Sequence, residues 1–450
     1  MKIKAILSLA LILSLLFTGC ENWIDPEINI DPDNPSNAGP AVILPACQSE
    51  LAFYLGGFEG TGAQSIWMQQ ILGQDRQAGA YNEYNYKESD ANNLWDGFFA
   101  GFMMDLRTII DISEAAPARN FAGIGKVLMA VALGNATDMF GDVPYTEAFK
   151  GADNLTPTFD SQQSIYNEID DLLTEAIADL ASTDPGENTI SVGADYFYGG
   201  DLDAWMAAAY TLRARYQMHL AKRGSVNYDD VISDLDNGIA SISGDMEQPF
   251  GEGSAEWNPL YNYTQQRSGY ISENGVFESF FLDDTVDYGV ADPRAGLHEW
   301  GSGPWTSPDS PIALVQATEG LFLKAEAQWR NNAFADARTT LKSAVAMAME
   351  KVEIDMTDAD ATTWMTEFEA DVDATADADL LEVIMVQKYL HMYCQPEAFT
   401  DWRRTGFPDL SPTAGTQIPR RLPYATDERQ YNPNVPDYGT IFSRLWWDVQ

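Results

Sequence analysis

The sequence is poor in cysteine, histidine and positive charge, and each shortage removes a class of function. Three cysteines and three histidines in 450 residues supply neither a disulfide framework nor ligands at metal-binding spacing. His219, His298 and His391 are scattered, and no HExxH, GxSxG or P-loop sequence occurs, so the chain lacks a recognisable set for metal-assisted, serine-based or phosphoryl chemistry. Carboxylates abound, but nothing singles out a pair for glycoside hydrolysis. With 26 Lys plus Arg against 68 Asp plus Glu, the formal net charge is −42. Such a chain repels phosphate backbones and anionic surfaces, which excludes nucleic acid as a partner. The expectation is a non-enzymatic binding protein with no metal and no cofactor.

What is present is core material. Hydrophobic residues make up 45% of the chain and aromatics 12%, enough for one large domain or two ordinary ones. From Ser164 onward Ile165, Ile169, Leu172, Leu173, Ala176, Ile177 and Leu180 recur at helical spacing, with acids on the other face and Asp160 and Gln163 as a capping-box-like entry. Similar patterns cover about 92–116, 118–139, 201–223, 311–329, 334–349 and 378–393, so the chain reads as mostly α. In KAEAQWRNNAFADARTTLKSAV, Ala325, Phe334, Ala337, Leu341 and Ala344 have the offsets of a tetratricopeptide helix pair, with Asn332 where the turn usually has glycine. Small residues let two helices approach while Phe334 and Leu341 fill the groove between them. Cys47 and Cys394 are either two small buried residues or one long-range disulfide.

The N-terminus reads differently. Lys2 and Lys4 precede an apolar run from Ala5 to Phe17 and the small residues Thr18 and Gly19, which predicts a signal peptide over 1–19 that is too short for a comfortable membrane span. Phe-Thr-Gly-Cys resembles the bacterial lipobox, whose cysteine is lipidated and becomes the new N-terminus, so Cys20 is expected to be a tether carrying acyl chains such as palmitate. The alternative is a plain secreted protein with a chance cysteine. Residues 20–40, with Glu21, Asp25, Glu27, Asp31 and Asp33 between Pro26, Pro32 and Pro35, suit an extended acidic leash. Acids just after the cysteine also resemble an export signal to the cell exterior. Asp31, Asp33 and Asn34 lack the Gly and distal Glu of a calcium loop.

Residues 41–450 are expected to form one helical domain interrupted by a loop-rich insertion at about 244–310, where Gly, Pro, Asn and Ser break the periodicity. Such loops present side chains that helices commit to packing. A sugar ring offers a C–H face to an aromatic and hydroxyls to amides, acids and arginine. Two aromatic groups in weakly helical sequence fit that need. One holds Trp67, Gln70, Gln74, Arg76, Tyr81, Tyr84 and Tyr86; the other Trp257, Tyr261, Tyr263, Tyr270, Trp300 and Trp305. The candidate ligand-binding set is Trp67, Gln70, Arg76, Tyr81, Tyr84, Trp257, Tyr263, Trp300 and Trp305, with Tyr81 and Trp257 foremost. Trp95, Trp205, Trp329 and Trp364 fall in helical patterns and are expected in the core. Trp402, Arg403, Arg404, Arg420 and Arg421 form the most basic cluster and are expected to pair with carboxylates such as Asp401, Glu397, Asp142 or Glu428. Asp138, Gly141, Asp142 and Pro144 are expected to end a helix and set a turn.

Several separated segments, ILPACQSELAF, SIWMQQILGQDRQAGAYNEYNYKESDANNLWDGFF, DMFGDVPYTEAF, Asp292 to Arg294, EVIMVQKYLHMYCQPEAFTDWRRTGFPDL and IPRRLPYATDE, together resemble the SusD/RagB-like nutrient-binding outer-membrane lipoproteins. The resemblance covers essentially the whole mature chain. It implies a tetratricopeptide-like helical scaffold with loops carrying the binding face. It further implies a surface lipoprotein acting as the lid of a TonB-dependent, SusC-like outer-membrane barrel, to which it delivers oligosaccharide. The alternatives are an oligopeptide-binding member of the same family or a surface scaffold that binds only protein.

Overall fold

Apolar side chains at helical spacing dictate the architecture. The structure is a computed structural model that describes residues 38–115, 119–182, 190, 192–282, 288–301 and 303–450. The signal sequence, Cys20 and most of the acidic tether lie outside the described residues. The longer helices are α1 (Pro40–Gly56), α2 (Met103–Glu114), α3 (Asn120–Phe140), α4 (Gln162–Leu180), α5 (Leu202–His219) and α6 (Tyr228–Asp236), followed by α7 (Ala317–Arg330), α8 (Phe334–Lys351), α9 (Ala359–Ala374), α10 (Leu380–His391) and α11 (Pro396–Thr405). Each of α1 to α8 packs on the next in sequence, and α10 returns to pack on α7 and α8. This is the stacking expected of tetratricopeptide-like pairs, in which each pair buries its apolar face on its neighbours.

The α7–α8 hairpin carries the predicted repeat signature. Ala325, Ala337, Leu341 and Ala344 are fully buried, and Asn332 takes a left-handed φ of 60° at the turn, a conformation Asn tolerates better than most residues. Phe334 is only half-buried; Phe322 on α7 supplies the buried ring instead. On α4 the predicted stripe is buried except for Ile177, which is partly covered. The cap is Ser161, whose hydroxyl accepts from Ser164 N, because Asp160 is already engaged by Tyr145 N and Thr146 N. Gly141, with φ at +90°, ends α3 as its sequence predicts. Cys47 and Cys394 are both buried and unpaired as thiols, with burial pushing each up to about 12.

The basic cluster is structural. Arg404 forks onto Glu326 at 2.5 Å through both terminal nitrogens and reaches Asp401 at 2.6 Å. Arg403 donates to the carbonyls of Asp138 at 2.6 Å and Arg420 at 3.0 Å, while Arg420 pairs with Asp448. Around them a buried ionic network continues through Lys388 to Asp401 at 2.7 Å, His219 to Glu397 at 2.9 Å and to Asp138 at 3.1 Å, and Arg215 Nε to Glu319 at 2.7 Å. It ties α5, α7, α10 and α11 together. Burial alone would raise the Glu326 pKa, but Arg404 and Arg330 outweigh it and hold the carboxyl at about 2. Burial would likewise lower His219, yet Glu397 and Asp138 lift it to about 9. His391, buried and facing Lys351, Arg294 and Lys388, falls to about 3 and is neutral.

Candidate functional site

The loop-rich insertion is built on two asparagine caps and a short strand pair. Asn258 opens the helix Pro259–Gln266 by accepting from Leu260 N at 2.9 Å and Tyr261 N at 3.1 Å, while its amide donates to Ser310 O at 2.9 Å. One side chain thus fixes both ends of the segment that carries the candidate aromatics. Asn274 opens the helix Gly275–Leu282 in the same way. Strand β1 (Ile71–Gly73) pairs antiparallel with β3 (Ile271–Glu273), and β2 (Met246–Gln248) with β4 (Ile312–Val315). The strand β4 occupies the start of the stretch whose pattern reads as one helix from 311, and α7 begins only after it.

The β1–β3 pair joins the two aromatic segments that the sequence separates by almost two hundred positions. Gln74 N donates to Tyr270 O at 2.8 Å, and Gln74 Nε2 to Ser272 Oγ at 2.7 Å. Rings complete the junction: Tyr81 stacks on Phe58 at 6.0 Å, and Phe58 on Tyr263 at 3.9 Å with planes 6° apart. Tyr270 meets Tyr263 edge-on at 6.4 Å, and Trp257 meets Tyr261 edge-on at 5.3 Å. Gly301, with φ at +86°, brings its loop to 3.7 Å from the Tyr261 ring, measured from where a Cβ would stand. All five rings, Trp257, Tyr261, Tyr263, Tyr270 and Trp300, are half-buried, and they form two sides: Tyr261 with Trp257 and the loop after Trp300, and Tyr263 with Tyr270 against Phe58, since residues two apart on one helix point in different directions.

The first segment lies behind this face. Trp67 is 0% exposed and donates its indole N–H to Tyr81 O at 3.1 Å. Gln70 is fully buried and splints the end of α10, donating to Tyr389 O at 3.1 Å and Met392 O at 3.2 Å and accepting from Cys394 N at 2.9 Å. Tyr81 is 3% exposed and accepts from Gln77. Tyr84 is buried and accepts from Thr413 N at 2.8 Å. Four of the nine sequence candidates therefore belong to the core, because their polar groups are satisfied within the fold, by backbone groups for Trp67, Gln70 and Tyr84 and by the Gln77 side chain for Tyr81. Arg76 is exposed beside Asp75 with a left-handed φ of 52°. Trp305 is half-buried and turns away, lining a separate cavity of about 70 Å³ with Arg215 and Glu397. Trp95, Trp205 and Trp364 are core residues as expected, and Trp329 is half-buried.

Beside Trp300 the face opens into a basin of about 510 Å³ lined by Glu273, Glu278, His298 and Glu299. Glu273 accepts from Trp300 N at 3.2 Å, and His298 contacts Glu278 at 2.8 Å. Burial depresses the His298 pKa against the opposing pull of these acids. Tyr263 Oη and Trp300 Nε1 have no hydrogen-bond partner among the described residues. The face thus combines apolar ring surfaces with carboxylate acceptors, the pairing that suits a polyhydroxylated ring. Sequence reasoning missed Phe58, the ring that joins the two segments. It lies in the apolar stretch LAFYLGGF and carries no signal that separates it from core.

Comparison with known proteins agrees with this architecture. The family model described as "Starch-binding associating with outer membrane" matches residues 59–298 and 262–425. A solved SusD/RagB family protein from Bacteroides thetaiotaomicron is 25% identical with a TM-score of 0.75, covering 92% of this chain and 99% of its own. A chitin-binding protein is 22% identical with a TM-score of 0.72 over 92% of this chain and 100% of its own. A chitin-binding SusD homologue from Flavobacterium johnsoniae is 18% identical with a TM-score of 0.73 over 90% and 98%. The last two share the fold. No curated protein sequence matches the chain. With a family model matched over most of its length and its whole helical scaffold shared, the chain belongs to the SusD/RagB-like family of outer-membrane-associated, nutrient-binding proteins.

Proposed function

We propose that the protein is a cell-surface lipoprotein that binds oligosaccharide on the face of Trp257, Tyr261, Tyr263, Tyr270 and Trp300. It then delivers the ligand, as a lid, to a TonB-dependent outer-membrane barrel of the SusC-like kind. One observation carries this reading: the only strand pairing between the N-terminal loops and the 244–310 insertion, among the described residues, ends at Glu273, which lines a carboxylate basin together with Trp300, next to the loop that approaches the half-buried Tyr261 ring. Solved relatives described as chitin-binding favour a glycan over a peptide. The role is binding without catalysis.

Calorimetry against chito-oligosaccharides, malto-oligosaccharides and a peptide library tests the reading. A glycan should bind with a dissociation constant on the order of micromolar to millimolar, roughly 4 to 8 kcal/mol. Peptide binding alone would move the protein to the oligopeptide branch. No ligand in any library, with a barrel still co-purifying, would make it a protein-only scaffold. The anchor has its own test. Cys20→Ser should leave a folded, ligand-competent protein that no longer fractionates with membranes; retention on membranes after a high-salt wash would refute the tether.

A further inference from the structure

A second groove, of about 380 Å³, lies between the helix Asn92–Asp96, the 144–157 loop and the helix Thr426–Tyr431. It shares no residue with the face described above. Its walls include Tyr431, 71% exposed, and Leu155, 78% exposed, the two most exposed large apolar side chains among the described residues. Exposed apolar surface concentrated in one concavity marks a binding site more than an accident of composition.

The floor is a run of rings. Trp95 lies 4.3 Å from Phe99, and Phe99 stacks with Phe149 at 6.5 Å and 12°. Phe149 holds a left-handed φ of 61°, an outlier for a bulky residue, and the fold keeps it there with its ring in the groove wall. The rim carries Asp96, Asp427 and Glu428. Two of these are already anchored as acceptors. Asp427 takes a hydrogen bond from Asn92 Nδ2 at 3.1 Å, and Glu428 takes one from Asn432 Nδ2 at 2.7 Å and another from Trp95. Burial, with the neighbouring Asp427 charge, raises the Asp96 pKa, and burial raises that of Glu428. Fixed acceptors over flat rings suit the hydroxyls and C–H face of a sugar. A basic protein segment would need several carboxylates free to swing onto it, and two of the three here are held.

We propose that this groove is a second glycan-binding site, with Tyr431 and Phe149 as its stacking rings and Asp427 as its acceptor. The proposal rests on the glycan reading of the protein, and it adds a separate place where a sugar chain is held. Two sites on one molecule would let a long glycan be retained while one of its contacts lets go.

The test is a titration of the full chain in detergent with chito- and malto-oligosaccharides, on the wild type, Trp257→Ala, Tyr431→Ala and the double variant. Tyr431 is exposed at a helix end, so its loss should leave melting unchanged. The wild type should bind two glycans per chain. Each single variant should keep one site and weaken the other about tenfold or more, and the double variant should bind neither. If Tyr431→Ala binds like the wild type while Trp257→Ala loses its glycan, the groove is refuted and the first face stands. If Tyr431→Ala loses binding while Trp257→Ala does not, the groove stands and the first face falls. No glycan bound at all overturns both. An oligolysine peptide that binds through Tyr431, with glycan binding unaffected, overturns the groove as a sugar site and makes it a protein-docking site.

Discussion

The ionic network beneath α11 and the aromatic face of the insertion solve opposite problems with side chains that look alike in the sequence. In the network every charged group is buried and matched: Arg404 with Glu326 and Asp401, Arg215 with Glu319, His219 with Glu397 and Asp138. On the face the rings are only half-covered, and carboxylates such as Glu273 remain exposed. The first arrangement consumes its hydrogen-bonding capacity in holding helices together; the second leaves capacity for a ligand. A conspicuous arginine or tryptophan therefore says little about function until its partners are known.

Breaking the network gives the largest effect. Arg404→Ala leaves Glu326 with Arg330 alone and Asp401 with Lys388 alone, in a site where neither carboxylate meets water, which should cost about 3 to 5 kcal/mol of stability. Urea denaturation measures it, and glycan affinity of the folded fraction should not change. A loss below about 1 kcal/mol would mean that the network is not a structural centre.

Next in size is the pH dependence of the same network. His219 is raised from 6.5 to about 9, so it binds its proton more tightly folded than unfolded. Its contribution is fully present below pH 6.5 and is lost as pH rises towards about 9; the shift corresponds to roughly 3 kcal/mol. Denaturation midpoints should fall across that window, and His219→Gln should flatten the fall. Glu326 acts in the other direction. Lowered from 4.5 to about 2, it contributes above pH 4.5 and loses that contribution as pH falls towards 2. A wild-type profile level between pH 6.5 and 9 would contradict the assignment of a charged His219.

The two regions also differ in how far their sequences could be read. The helix stack was legible because burial follows period: the α4 stripe and the small residues of α7 and α8 announce their faces. The arginines were legible as structural, and Asp401 as one partner, but Glu326 was not, since it sits more than seventy positions away on another helix. In the insertion, composition pointed to Trp257, Tyr263 and Trp300, which are half-buried there. Trp67, Gln70, Tyr81 and Tyr84 proved buried, because a side chain that satisfies another group of the fold, a backbone carbonyl for Trp67 and Gln70, a backbone N–H for Tyr84 and a side-chain amide for Tyr81, has the same letters as one that satisfies a ligand. The β1–β3 pair is only three residues per strand, too short to leave an alternating pattern, and so the junction between the segments was invisible.

Two tryptophans separate the insertion from the core. Trp257 is half-buried, with its indole N–H on Glu252 O at 2.9 Å, and Trp257→Ala should weaken glycan binding by about 1 to 3 kcal/mol with little change in melting. Trp205, fully buried and bonded to Asp195 at 2.8 Å, provides the contrast, since its truncation should act on stability alone. Early melting of Trp257→Ala with normal binding would place that ring with the core.

Tyr81 gives the smallest effect and marks the border between the regions. Its ring backs the Phe58–Tyr263 stack from inside, while its hydroxyl accepts from Gln77 near the surface. Tyr81→Phe keeps the ring and removes only that hydroxyl, so stability should fall by about 0.5 to 1.5 kcal/mol, the net value of one hydrogen bond. Glycan affinity should be unchanged, because a ring only 3% exposed has no face to offer. Melting and titration on the same variant decide the matter. If affinity falls while melting holds, the hydroxyl touches the ligand, and the binding face extends inward past Phe58 to the segment that the structure places in the core.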